Sequence, residues 1–79
     1  MLKLTKINGT NDAYMKVGEH IIGTVQGTAF PKYPTVGRPF ALTDITYPEN
    51  LTFYRTSLVK KVNGNTFETE NSVYRLEAV

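Results

Sequence analysis

A chain of 79 residues with nine Lys and Arg, seven Asp and Glu and no cysteine is one small, mildly basic domain, without disulfides or thiolate metal sites. Its net charge of +2 is too small to mark a nucleic-acid binder by charge alone, and it runs against an acidic DNA mimic. His20 is the one imidazole, too few for a zinc site, and no apolar stretch approaches the roughly 20 residues of a membrane span or a leader's hydrophobic region, so the expected setting is the cytosol.

Helix periodicity is nearly absent along the chain, and strand signals recur. Residues 2–7 (LKLTKI) predict a strand with Leu2 and Leu4 on one face and Lys3 and Thr5 on the other. The turn cluster NGTND (8–12) leads into AYMKVGE (13–19), an arm or a short strand. HIIGTVQGTAF (20–30) is β-branched but broken by Gly23 and Gly27, the mark of a bulge, a bend or a close backbone approach. In a small barrel such glycines let one long strand serve two sheets. PKYPTVGRP (31–39) is a loop stiffened by three prolines.

FALTDITY (40–47) predicts the next strand, PEN (48–50) a turn, and LTFYRT (51–56) the returning strand. The tail adds SLVKKV (57–62), a hairpin at Asn63-Gly64, TFETE (66–70) and SVYRLEAV (72–79). Phe67 and Thr69 share one face there, against Glu68 and Glu70; Tyr74, Leu76 and Ala78 oppose Arg75 and Glu77. Five to seven short strands in one domain spanning 1–79 predict an all-β fold, a small antiparallel barrel or roll. An SH3-like barrel fits first. An OB-like barrel comes second, because it usually carries a helix.

A domain this small buries only a little over ~60% of its unfolded surface and usually needs a further staple. With disulfides and metals set aside, oligomerisation remains, and a homo-oligomer is expected.

The tail uses one device twice: Thr56-Ser57 before LVKKV, and Asn71-Ser72 before VYRLEAV. Such side chains bond nearby backbone and make corners where a strand leaves one sheet for another. The functional alternative is that Arg55, Thr56 and Ser57 line a ligand pocket with Asn71 and Ser72 beside them.

This stretch, T-S-x-V, then F-x-T, then N-S-x-Y (Thr56, Ser57, Val59, Phe67, Thr69, Asn71, Ser72, Tyr74), resembles the C-terminal pattern of small, mostly uncharacterised proteins encoded by phages and prophages; VGRPFALT (36–43) extends it. The resemblance covers about the last third of the chain and contains no catalytic group. It implies a small β-barrel and a viral context.

Catalytic patterns are missing. Ser57 or Ser72 as nucleophile needs a base within reach, and His20 opens an apolar strand. Glu68 and Glu70 read as solvated charges, Asp44 and Glu49 form no motif, and no phosphate-loop, dinucleotide or metal motif occurs. No enzyme activity and no cofactor are expected. Cations lie near aromatics instead: Tyr33, Arg38, Tyr54, Arg55, Lys60, Lys61 and Arg75 can stack a base and neutralise a phosphate, although half-buried barrel tyrosines and surface lysines explain the same residues. Tyr33 and Arg38 ride the Pro-rich loop, and Arg55 enters the Thr-Ser corner.

Three functions follow. The first is an oligomeric sponge that sequesters a nucleotide-derived immune signal of the host. The second is a protein-binding module that inhibits a host protein or joins a virion. The third is a nucleic-acid-binding barrel in which Arg55, Lys60, Lys61 and Arg75 track the backbone. The site residues expected for the first are Tyr33, Arg38, Tyr54, Arg55, Thr56, Ser57, Lys60, Asn71 and Ser72.

Overall fold

The computed structural model of the chain describes residues 1–11, 14–25, 30–45 and 52–79. It contains six strands: β1 (Leu2–Gly9), β2 (His20–Thr24), β3 (Pro39–Asp44), β4 (Thr52–Asn63), β5 (Thr66–Thr69) and β6 (Ser72–Ala78). Each pairs antiparallel with the next, and β6 pairs back onto β1, so the sheet closes into a barrel in simple chain order. Closure uses up the edge pairing that would otherwise invite aggregation. No helix among the described residues is long and apolar enough to cross a membrane.

The small antiparallel barrel expected from strand periodicity is therefore the fold. Strand boundaries differ from expectation: β1 runs on through Asn8 and Gly9, expected as turn, and two longer segments differ as well. Residues 51–56 and 57–62 were expected as two strands, yet Thr52–Asn63 is one strand of 12 residues. Its first half pairs with β3 and its second with β5, so β4 serves both sides of the barrel. Two bulges bend it. Thr56 and Ser57 together oppose Phe40, and Lys60 is the extra residue between Val59 and Lys61.

Second, β2 stops at Thr24. Gly23 acts by close approach, since a methyl group on it would overlap the Thr43 carbonyl. Gly27 and the PEN turn lie outside the described residues. Of the arm or short strand expected at 13–19, the described residues 14–19 form the arm: they hold no strand, cross the barrel end and bury Met15 completely.

The hairpin is present, one residue later than expected. Asn63 and Thr66 pair, so Gly64-Asn65 is the loop, and only Gly64 has a positive φ, 62°. Glycine at the first loop position is the pattern of a type II′ turn rather than the Asn-Gly type I′.

The interior holds Leu4, Met15, Ile21, Phe40, Leu42, Tyr54, Val59, Phe67 and Tyr74. Phe67 stacks on Tyr74 with centroids 5.3 Å apart and meets Phe40 edge-on at 5.5 Å. Lys6 shares this face. Alternation from Leu4 turns its side chain inward, where it is fully buried. Its Nζ donates to the carbonyls of Thr10 and Met15, each at 2.8 Å, and lies 5.8 Å from the Tyr74 ring centroid. This one cation fastens the segment that caps the barrel end.

Candidate functional site

β5 is short. It covers β4 only from Val59 onward, so the first half of β4 looks across a gap in the barrel wall. The gap is a cleft of about 830 Å³, lined by Phe53 to Ser57 on β4, by Asn71, Ser72 and Tyr74, and by Thr10 and Tyr14. That volume lies within the range of small-molecule sites, about 300–1,000 Å³.

The Thr56-Ser57 corner is a bulge held by its own side chain. The Thr56 hydroxyl accepts the Phe40 N–H at 3.0 Å, standing in for a carbonyl that the bulge displaces, and donates to the Ser57 carbonyl at 2.7 Å. At the second corner the side chain at work is Thr69. Its hydroxyl accepts the N–H groups of Ser72 and Asn71, at 3.2 and 3.4 Å, and donates to the Ser72 carbonyl at 3.2 Å. Asn71 is thereby turned outward, and its Nδ2 donates to Ser57 Oγ at 3.0 Å. The two corners thus meet across the end of the cleft, and each has a structural task as well as a place in its wall.

Aromatic residues line much of the rest: Phe53 and Tyr14 are exposed there, whereas Tyr54 and Tyr74 are buried. The Tyr54 and Tyr74 hydroxyls are hydrogen-bonded at 2.8 Å, and the Tyr14 ring packs on Tyr54 with centroids 5.1 Å apart. Tyr14 also donates to Asp44 Oδ2 at 3.2 Å. Partial burial raises the Tyr14 phenol above the ordinary tyrosine value; the Asp44 carboxylate adds to this, and a hydrogen bond with Thr52 opposes it. Arg55 is exposed at the rim and is the one charged side chain among the described lining residues.

Of the residues expected to bind, Tyr54, Arg55, Thr56, Ser57, Asn71 and Ser72 come together here. Tyr33, Arg38 and Lys60 do not. Tyr33 is 75% exposed beside Leu2 and Pro34 in a separate apolar groove, which runs to Val62 and the β4–β5 hairpin. Arg38 is exposed at the start of β3, its carbonyl accepting the Val59 N–H, and Lys60 is the bulged residue further along β4. Thr10, Tyr14, Phe53 and Tyr74 were missed as lining residues. No local signal marked them, because the segment after β1 is held over the barrel by the buried Lys6 only once the chain has folded.

His20 is exposed at the start of β2 and pairs with Thr5, on a different part of the wall from Ser57 and Ser72. Among the described residues no three His, Cys, Asp or Glu side chains gather as metal ligands. Comparisons with protein-family models, with curated proteins and with solved structures find no match for this chain.

Proposed function

We propose that this protein is a non-catalytic binder that holds a nucleotide-type anion in the β4 cleft, and that it works as an oligomeric sponge sequestering a nucleotide-derived immune signal. The observation that carries the reading is the chemistry gathered in one cleft of ligand size: the exposed Tyr14 and Phe53 rings to stack a base, hydroxyl and amide groups to bond a sugar, and Arg55 at the rim for a phosphate. The viral context rests on the resemblance of the tail. The oligomer rests on the thin core and on apolar side chains left in solvent, among them Met1, Tyr33, Val36, Leu58 and Val79.

Native mass spectrometry of protein purified from cells that make such signals is the test. A closed oligomer carrying a few hundred extra daltons per site supports the sponge and identifies its ligand; a bare monomer overturns it. Arg55→Ala should weaken the captured ligand at least about tenfold, the scale of a lost charge-assisted hydrogen bond.

A second reading has its own observation. The groove of about 280 Å³ between Tyr33-Pro34 and the β4–β5 hairpin is mainly apolar, which suits a protein partner. Substituting Tyr33→Ala would abolish capture of that partner and leave small-ligand binding at β4 intact.

A further inference from the structure

The direction of the β4 main chain carries the cleft reading one step further. Two hydrogen bonds settle which way each residue of β3 points. The Ile45 N–H reaches back to the Ile22 carbonyl, toward β2, whereas the Phe40 N–H reaches Thr56 on β4. Main-chain groups alternate along a strand, so Leu42 and Asp44 also turn toward β4, where they oppose Tyr54 and Thr52. Phe53 and Arg55 are out of phase with those two residues. Their N–H and C=O groups therefore point away from β3, to the side on which the cleft lies.

On that side β5 is absent, because it begins its pairing at Val59. No main-chain partner for Phe53 or Arg55 occurs among the described residues. Beyond Arg55 the free edge is closed by the Asn71 side chain on Ser57. What remains is two donor–acceptor pairs roughly 7 Å apart, at about 3.4 Å per residue.

Resting on the proposed nucleotide reading, we infer that this free edge reads the nucleobase: the main-chain N–H and C=O of Arg55, with those of Phe53 beside them, bond the acceptor–donor edge of the base. Each outward residue offers a donor and an acceptor side by side, and a nucleobase edge presents the complement. Strand alternation places the buried Tyr54 ring on the inner side of this plane and the exposed Arg55 guanidinium on the outer side. A base bonded edge-on then extends the plane of β4, and the cation stays free for the phosphate. An added peptide strand is the alternative occupant, but the open edge is shorter than the five or six residues, roughly, of an ordinary strand.

The test uses the isotope-labelled full chain, titrated in separate NMR experiments with each of the four ribonucleoside monophosphates and with ribose phosphate as the base-free control. The expected result is a downfield shift of the Phe53 and Arg55 amide protons with at least one nucleotide and none with ribose phosphate, which binds at least about tenfold more weakly. Arg55→Ala, which keeps the N–H, should weaken both probes alike. Arg55→Pro also removes the N–H, at an unpaired edge where proline is tolerated. It should cost the nucleotide a further tenfold, roughly, and ribose phosphate nothing more.

Equal binding of nucleotides and ribose phosphate overturns the base-reading edge and leaves the cleft reading standing. Binding of neither overturns both. A five-residue extended peptide that moves the two amides where no nucleotide does makes this a strand-addition site and overturns the inference.

Discussion

Lys6 lies fully buried inside the barrel, where an ammonium group must exchange water for fixed oxygen atoms. The carbonyls of Thr10 and Met15 supply two of them, the Met15 bond wholly buried and the Thr10 bond partly so. Lys6→Met keeps the length of the side chain and removes the donors. It should destabilise the fold by about 1–3 kcal/mol for the buried Met15 carbonyl left unpaired, less whatever the lysine itself loses by burial. Urea denaturation measures this, and unchanged stability would mean that the carbonyls had found other partners. Tyr14, in the segment that Lys6 fastens, gives a second prediction. Its phenol is raised, so the folded state holds the proton more tightly than the unfolded chain does. The contribution to stability is fully present below the unfolded value of 10.0 and is lost as pH rises through the folded one. Absorbance titration should show a late-ionising phenol in the parent protein that is absent from Tyr14→Phe. Little of this residue-level detail was legible. In LKLTKI a lysine two places after Leu4 reads as an ordinary surface cation, and only the carbonyls of the following segment, brought overhead by folding, explain its burial.

Elements were more legible, and the reason is one-sided burial. Phe67 and Thr69 are buried and Glu68 and Glu70 exposed, as alternation requires of a strand with one wet face. The corners at Thr56-Ser57 and near Asn71-Ser72 were legible as corners because short hydroxyl and amide side chains bond local backbone. That they face one another across a cleft was not, since β4 and the β5–β6 turn meet only when the barrel closes. Nor does local sequence tell a glycine that turns the chain from one that admits a neighbouring strand. Gly23 is of the second kind, and it sits on the seam between β2 and β3, where two residue pairs are in register among the described residues. Gly23→Ala should cost about 1–3 kcal/mol by overpacking and speed amide exchange at Ile45, which bonds across that seam. Gly9 combines both constraints, with φ of 114° and no room for a methyl group against Asn71 and Ser72. Gly64 has a positive φ but open space around it, so its alanine variant should lose only the left-handed penalty, about 1–2 kcal/mol. Denaturation midpoints should therefore place Gly9→Ala lowest and Gly64→Ala above it.

At the scale of the whole molecule, the placement of charge makes a small anion and a nucleic-acid strand distinguishable by salt. The register sets Lys61 directly opposite Glu68 and Lys3 directly opposite Glu77, so carboxylates interrupt the cations around the wall. With a net charge of only +2 and Arg55 the single charged residue described in the cleft lining, a ligand held in the cleft as proposed would meet one cation there. Salt dependence then separates the readings. A strand held by six to ten phosphate contacts loses about 10³–10⁵ in affinity between 50 and 200 mM salt, roughly, whereas a single contact follows a slope near −1 and loses only about fourfold. Nucleotide binding measured by calorimetry across that range should change by about the smaller factor, with oligonucleotide binding undetectable at the upper end. A steep loss shared by both ligands would mean that cations outside the cleft do the binding, and the nucleic-acid reading would displace the sponge.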